Sequence, residues 1–220
     1  REAKIPLLAR GGGTSQCGQT VNQAIVIDNS KFLNKILDFN KEKMTCTVEP
    51  GIVLDELNRF LKPFDLWFPV DVSTSSRATI GGMTGNNSCG GRSIRYGMMR
   101  DNVLGIEAIL SNGSTYNFGK IENNHINLTN DATTKVISDL LKLAKDNQNE
   151  ILSKFPKVLR RVGGYNIDAL LPDAMALRPN GKSGDGINLS HLLTGSEGTS
   201  AYSCSITLKL SLLPSKKIMG

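Results

Sequence analysis

The chain contains few of the side chains that hold metal ions. Its 220 residues include four cysteines, Cys17, Cys46, Cys89 and Cys204, and no two of them form a C-x-x-C pair. Zinc and iron–sulfur sites are built from closely spaced Cys and His side chains, so the sequence predicts no metal site. We expect free, reduced thiols, with Cys46 and Cys204 packed as small core residues in strand-like runs and Cys89 in a packing role.

Histidine is equally scarce, with two residues in the whole sequence. His125 and His191 both lie in polar segments, which predicts two isolated imidazoles at the surface. No side chain stands out as a general base for proton transfer, so the sequence leaves the catalytic residues unassigned.

Long apolar runs are missing too. No stretch approaches the roughly eighteen apolar residues of a transmembrane helix, and no charged N-terminal segment leads into an apolar one. The net charge of +6 comes from 26 basic residues interleaved with 20 acidic ones, and the densest basic pairs, Arg160-Arg161 and Lys216-Lys217, are short. A nucleic-acid surface requires a larger basic patch. The sequence therefore predicts a cytoplasmic protein with no membrane span and no nucleic-acid partner.

Glycine, by contrast, is abundant and concentrated in two clusters. The first, Arg10-Gly-Gly-Gly-Thr-Ser-Gln-Cys-Gly18, follows an apolar run, and the second extends from Thr79 to Gly97. Neither matches the dinucleotide fingerprint G-x-G-x-x-G, because Gln16 stands where the third glycine belongs, and there is no G-x-x-x-x-G-K-[ST] loop. Glycine-rich backbone can approach a ligand closely and turn successive N–H groups toward an anion. The two clusters together predict a site for a large phosphorylated cofactor, although solvent loops have the same composition.

Hydrophobic patterns indicate a chain of mixed helices and strands. Strands are predicted at 5–9, 24–28, 35–40, 44–48 and 203–212, helices at 53–61 and 134–146, and a β-hairpin at 103–118. Asn112-Gly113 between two apolar runs is the hairpin signal. The segment from Lys154 to Ser190 is rich in proline and glycine, which predicts an extended surface loop.

The order of short motifs along the chain resembles that of FAD-linked oxidases. The motifs are Arg10-Gly-Gly-Gly-Thr14, Asp71 with the serines from Ser73 to Ser76, Thr79-Ile-Gly-Gly82, Asn86-Asn-Ser-Cys-Gly90, Tyr96-Gly97, Val103-Leu-Gly105 and Gly195-Ser-Glu-Gly-Thr199. They are similar to motifs of the FAD-binding domain of the vanillyl-alcohol oxidase and p-cresol methylhydroxylase type. Within that family they look most like the branch of D-lactate, glycolate and D-2-hydroxyglutarate dehydrogenases. Arg160-Arg-Val-Gly-Gly-Tyr165-Asn166 further resembles large members with a C-terminal iron–sulfur module.

This resemblance implies an α+β, two-lobed FAD-binding domain that is truncated at both ends. The first lobe, a small α/β unit, would comprise residues 1–77, and the second, a β-sheet with covering helices, residues 78–220. FAD would lie extended between the lobes. A substrate cap and any iron–sulfur module would lie outside these residues.

The resemblance also implies which residues contact FAD. These are Arg10, Gly11, Gly12, Gly13, Thr14, Ser15, Gly18, Asp71, Ser73, Thr79, Ile80, Gly82, Asn86, Gly90, Ser93, Tyr96, Glu197, Gly198 and Ile206. Residues 11–15 would bind the pyrophosphate, and Glu197, Gly198 and Ile206 the adenine and ribose side. Some relatives attach the flavin covalently through a His near the first cluster, where Thr14 and Cys17 stand here. Noncovalent FAD is therefore expected.

The function implied by the resemblance is oxidation of a small D-2-hydroxy acid by a flavin-dependent dehydrogenase or oxidase. The general base would lie in the missing C-terminal part, an iron–sulfur module is a candidate electron acceptor, and the isolated chain would be inactive. One departure concerns Gly195-Ser-Glu-Gly-Thr199, which is followed by Ser200-Ala201-Tyr202 instead of a bulky apolar residue. Two alternatives remain open: a noncatalytic flavin-binding module of a larger redox assembly, and a flavoenzyme like the reductase of cell-wall precursor synthesis.

Overall fold

A computed structural model describes residues 4–121, 132–158, 160–171 and 186–215. The strands are β1 (Leu7–Arg10), β2 (Ile25–Asp28), β3 (Ile36–Asn40), β4 (Thr45–Val48), β5 (Leu66–Trp67), β6 (Val103–Leu110), β7 (Thr115–Phe118), β8 (Ala201–Lys209) and β9 (Ser211–Leu212). The helices are α1 (Leu54–Leu61), α2 (Ile80–Gly85), α3 (Ser93–Tyr96), α4 (Met99–Asn102), α5 (Ala132–Asp146), α6 (Gln148–Lys154) and α7 (Ser190–Leu193). Short 3₁₀ helices lie at Lys62–Phe64 and Ile167–Leu170.

The strands form sheets of different kinds. β1 and β2 pair in parallel, with Leu7 opposite Ile25 and Arg10 opposite Asp28. A five-stranded antiparallel sheet has the spatial order β3-β4-β8-β6-β7, and β5 pairs with β9. The five-stranded sheet joins β3 and β4, which precede residue 77, to strands that follow it. The predicted division at residue 77 is therefore not a boundary between sheets and stays a prediction about the two sides of the cofactor.

A cluster of buried apolar side chains joins the five-stranded sheet to the helices. Val48 of β4, Ile206 of β8, Leu57 of α1 and Ile137 of α5 all belong to it and are at most 1% exposed. α1 forms because apolar residues recur at helical spacing on its buried face, while Arg59 remains exposed. The helix predicted at 53–61 is thereby confirmed.

The hairpin predicted around Asn112-Gly113 is confirmed as β6–β7. Gly113 has a φ of 81°, and Asn112 Oδ1 accepts hydrogen bonds from the N–H (2.9 Å) and the hydroxyl (2.6 Å) of Ser114. These are the roles for which turns select Gly and Asn. The helix predicted at 134–146 is confirmed as α5, and the four strands predicted before residue 50 are confirmed as β1 to β4.

The cysteine predictions hold for one of the two proposed core residues. Cys46 of β4 is fully buried, and burial raises the pKa of its thiol to about 12. Cys204 of β8 is half-buried, and burial also raises the pKa of its thiol. All four cysteines are free.

Two predictions about the second half of the chain are wrong. Among its described residues, the extended loop predicted at 154–190 contains the 3₁₀ helix Ile167–Leu170, whose Ala169 and Leu170 are buried, while residues 159 and 172–185 lie outside the described part. The second error concerns His191, predicted at the surface, which is 3% exposed in α7. α7 packs against β6, and the polar neighbour Ser190 is buried with its hydroxyl donating to the Val103 carbonyl, so polar sequence did not mean exposure. His125 lies outside the described residues.

Candidate cofactor cleft

A cleft of about 390 Å³ is lined by both glycine clusters. Its lining includes Gly11, Gly12 and Gly13 of the first cluster, Thr79, Gly82 and Asn86 of the second, and Ser196, Glu197 and Gly198 of the loop before β8. A volume of this size falls within the range of about 300–1,000 Å³ that is typical of ligand sites. The fold thus brings distant glycine-rich segments to one concave surface.

The two clusters touch where their backbones lack side chains. A Cβ atom added to Gly11 would overlap the hydroxyl of Thr79, and one added to Gly12 would overlap the carbonyl oxygen of Arg77. Because the Arg77 carbonyl is backbone, it has little freedom to move aside. Glycine at residue 12 is therefore required for this approach.

The first cluster presents donors that have no partner within the described part of the protein. There, none of the backbone N–H groups of Gly11, Gly12, Gly13 and Thr14 donates a hydrogen bond. Gly13 has a φ of 64°, and the Arg10 side chain folds against it, since a Cβ on Gly13 would lie 2.7 Å from Arg10 Nη2. Several free N–H groups beside a guanidinium form a site for an anion.

The second cluster is built differently. Its residues 80–85 form α2, with Thr79 as N-cap and its Oγ1 accepting from the Gly82 N–H at 3.3 Å. The N–H groups of Ile80 and Gly81 donate to the carbonyls of Ile52 and Pro50, at 2.9 and 2.7 Å. The expectation that successive N–H groups of this cluster face an anion is wrong at these positions, because folding already uses them. The second cluster therefore forms one wall of the cleft, but its Ile80 and Gly81 amides are not available to a ligand.

The loop Gly195–Thr199 completes the cleft. The Gly195 N–H donates to the Thr84 carbonyl and the Glu197 N–H to the Gly85 carbonyl, each at 3.0 Å. Glu197 has a φ of 51° and an exposed side chain. These bonds attach the loop to the C-terminal end of α2, so the two share one wall.

Twelve of the predicted FAD-binding residues line the cleft, and seven do not. Those in the lining are Arg10, Gly11, Gly12, Gly13, Thr14, Ser15, Ser73, Thr79, Gly82, Asn86, Glu197 and Gly198. Those outside it are Gly18, Asp71, Ile80, Gly90, Ser93, Tyr96 and Ile206.

The residues outside the lining have other contacts. The side chains of Ile80 and Ile206 are fully buried in the core. Asp71 Oδ1 accepts from the Arg92 N–H at 3.1 Å, and a Cβ on Gly90 would overlap Asp71. Tyr96 packs edge-on against Trp67 at 5.5 Å between ring centroids. Their direct contact with FAD stays a prediction.

Sequence reasoning missed Asn29, which lines the cleft and is 6% exposed. Asn29 directly follows β2, and its N–H donates to the Arg10 carbonyl at 2.9 Å. Its Oδ1 accepts from the Tyr202 hydroxyl at 2.7 Å, which connects the parallel sheet to β8. Ligand sites in parallel sheets lie beyond the carboxyl ends of the strands, and a polar residue at that position is the signal that could have found Asn29.

The part of the chain that the structure describes holds neither a metal-binding cluster nor a membrane-spanning helix. There, no three His, Cys, Asp or Glu side chains come together as they would around a metal ion. No helix in those ranges has the length and apolar character needed to cross a bilayer.

The family model described as an FAD binding domain matches residues 1–119, which is more than half of the chain. The chain belongs to this FAD-binding domain family. The predicted cofactor, FAD, is thereby confirmed, and the cleft fits it. The free amides of the first cluster and the Arg10 guanidinium suit a pyrophosphate, and the glycines leave room for a dinucleotide to approach the backbone.

Known proteins similar to this chain are longer. D-2-hydroxyglutarate dehydrogenase of Pantoea ananatis is 35% identical over 208 residues, which covers 93% of this chain and 20% of that protein. Glycolate oxidase subunit GlcD of Bacillus subtilis is 36% identical over 119 residues, covering 54% of this chain and 25% of the subunit. The chain therefore spans about a fifth to a quarter of these relatives.

A solved structure confirms the fold. A crystal form of alkyldihydroxyacetonephosphate synthase superposes with a TM-score of 0.62 at 19% identity, covering 98% of this chain and 29% of that one. The mixed helix and sheet fold predicted from the sequence is thus confirmed.

Proposed function

We propose that this chain is the FAD-binding part of a flavin-dependent dehydrogenase that oxidises small D-2-hydroxy acids of the lactate, glycolate or 2-hydroxyglutarate type. The observation that carries the proposal is the match to the D-2-hydroxyglutarate dehydrogenase over almost the whole chain. A match of that extent includes the second glycine cluster and the loop Gly195–Thr199. The glycolate oxidase subunit supports the same class of substrate.

In this proposal each wall of the cleft contacts a different part of FAD. The N–H groups of residues 11–14 and the Arg10 guanidinium bind the pyrophosphate, because they are donors without a hydrogen-bond partner among the residues that the structure describes. Gly82 and Asn86 face the ribityl chain and the flavin edge, and Glu197 and Gly198 the adenine and ribose side. Bound FAD supplies the hydride acceptor, so the protein's part is to bind and orient it. No His is present in the first cluster, which supports noncovalent binding.

The remaining parts of the proposed reaction need groups that we do not assign within residues 1–220. We place the general base and the substrate cap in adjoining sequence, and an iron–sulfur module is our proposed electron acceptor. The support is that similar dehydrogenases are about five times as long as this chain. We further propose that the protein acts in the cytoplasm.

The test compares the 220-residue chain with the protein made from the complete coding sequence that contains it. Both should bind FAD, and only the longer one should have its flavin absorbance bleached anaerobically by D-lactate, glycolate or D-2-hydroxyglutarate. The L-enantiomers of lactate and 2-hydroxyglutarate are the matched controls. Failure of either chain to bind FAD would contradict the cofactor site. A longer protein that binds FAD but is bleached by none of these acids would favour the noncatalytic module.

A further inference from the structure

Asn166 is a buried residue outside the cofactor cleft, and its side chain is hydrogen-bonded to several separate segments of the chain. It ends the segment Arg160-Arg-Val-Gly-Gly-Tyr165-Asn166, which lies outside the cleft lining, and it is 1% exposed. The side-chain amide has two donors and one oxygen that can accept twice, and the structure uses all of them. A buried amide whose donors and acceptor are all used holds the segments that it contacts in a fixed arrangement.

The oxygen of this amide contacts arginines. Asn166 Oδ1 accepts from Arg100 Nη1 at 2.7 Å and from Arg161 Nη2 at 3.4 Å. Both arginines pair with Asp168, which is largely buried with them. The carboxylate offsets one of the two cationic charges, and the neutral amide oxygen accepts from the guanidinium groups without adding further charge.

The arginines connect this oxygen to the second glycine cluster. The Arg100 backbone N–H donates to Asn87 Oδ1 at 3.1 Å, and Asn87 Nδ2 donates to the Arg161 carbonyl at 3.4 Å. Asn87 is fully buried and has a φ of 49°, a conformation that Asn tolerates better than most residues. Its neighbours Asn86 and Ser88 line the cleft.

The nitrogen of the Asn166 amide holds the opposite segment. Nδ2 donates to the Thr194 carbonyl at 2.7 Å and to the His191 carbonyl at 3.3 Å. Thr194 leads directly into the loop Gly195–Thr199. A Cβ on Gly195 would lie 3.4 Å from Asn87 Cβ and 3.5 Å from Asn166 Nδ2, so these three residues meet at one point.

We propose that Asn166 is a positioning residue for FAD, because its one amide sets the second glycine cluster and the loop Gly195–Thr199 in a fixed arrangement. This inference rests on the proposed function and adds to it a residue that does not touch the cofactor. Replacing the amide leaves the Thr194 carbonyl and the Arg100 guanidinium short of partners. The two segments would then relax independently, and the cleft would lose the shape that FAD requires.

The test is Asn166→Ala, with Asn58→Ala as the matched control. Asn58 also uses both ends of its amide, on the Phe68 N–H and carbonyl at 2.7 and 3.3 Å, but it lies on α1 outside the cleft lining. Melting temperature by circular dichroism reports the structural cost of each change. Quenching of FAD fluorescence, measured where each variant is folded, gives Kd. Asn166→Ala should weaken FAD binding at least about tenfold, while Asn58→Ala should leave Kd within about twofold.

A second variant keeps the inference testable if Asn166→Ala does not fold. Asn87→Gly retains the left-handed backbone and removes the amide at the other end of the network, so it should also weaken FAD binding about tenfold. An unchanged Kd in the folded variants, with melting temperatures that fall as in Asn58→Ala, would overturn the positioning role. A wild-type chain that does not bind FAD would instead overturn the proposed function, and this inference with it.

Discussion

The two glycine clusters have similar compositions but opposite structures. In the first, residues 11–14 follow the small parallel sheet, and their N–H groups donate no hydrogen bond within the described ranges of the chain. In the second, residues 80–85 form α2, whose N-terminal amides are bonded to Thr79 and to the carbonyls of Ile52 and Pro50. Glycine serves close approach in both clusters, but only the first offers donors to a ligand. Composition alone therefore does not identify an anion site, since what matters is whether folding has used the amides.

The residues around the two clusters also differ in how deeply their side chains are buried. Leu7 and Ile25 of the parallel sheet are 64% and 51% exposed, whereas Ile80 and Met83 of α2 are at most 2% exposed. Fewer buried contacts support the first cluster, and regions of this kind open at lower free energy. We interpret the first cluster as the side that becomes ordered with the ligand and the second as the preformed side.

The largest effect is expected where the clusters touch. Gly12→Val places a side chain against the Arg77 carbonyl and should separate the first cluster from the second. FAD affinity should fall roughly a hundredfold, which corresponds to about 3 kcal/mol of binding free energy. Gly163→Ala is the control, because nothing lies within 4 Å of its added Cβ. Isothermal titration with FAD measures both, and equal affinities in the two variants would show that this contact does not shape the site.

The second cluster offers a matched pair of glycines. Gly90→Ala would overlap Asp71, whereas the Cβ of Gly91→Ala would meet nothing closer than 4.0 Å. Displacing Asp71 also breaks its bond to the Arg92 N–H. Urea unfolding should show a loss of about 2 kcal/mol for Gly90→Ala and a change within about 0.5 kcal/mol for Gly91→Ala. A similar loss in both variants would mean that flexibility, and not close approach, selects glycine here.

The charge beside the first cluster should have a smaller effect, and one on binding alone. Arg10→Gln removes the guanidinium that folds against Gly13, so FAD should bind about fivefold more weakly. Arg59→Gln removes an exposed charge on α1 and should not change Kd. The affinity of the wild type should fall as salt is added, and that of Arg10→Gln should fall less. Parallel salt curves for the two proteins would argue against Arg10 as an anion-binding residue.

The last effect, on stability alone, is expected at the bond between Tyr202 and Asn29, which connects the parallel sheet beside the first cluster to β8. Tyr202→Phe should lower the free energy of unfolding by about 1 kcal/mol at neutral pH. Burial raises the pKa of Tyr202 in the folded state, so its contribution is present below the unfolded pKa and is lost as pH rises through the folded one. The stability difference between wild type and Tyr202→Phe should therefore shrink in alkali. A constant difference across that range would contradict this role.

Local patterns predicted much of the fold. The Asn112-Gly113 turn and the apolar spacing of α1 and α5 depend on near neighbours, and all three are confirmed. Sequence reasoning failed at His191 and along α2, where burial and amide use depend on segments far away in the chain. The same reason explains why Asn29 and Asn166 were not identified as part of the site or its support. Their roles arise from partners such as Tyr202 and Thr194, which folding brings to them.

The most direct test of the account is a titration of the isotopically labelled chain with FAD, followed by amide NMR. Large shifts are expected for the amide resonances of Gly11, Gly12, Gly13 and Thr14, because their N–H groups gain a pyrophosphate partner. The amides of Ile80 and Gly81, already bonded to backbone carbonyls, should shift much less. Saturable FAD binding that leaves the first-cluster amides unmoved would contradict the account.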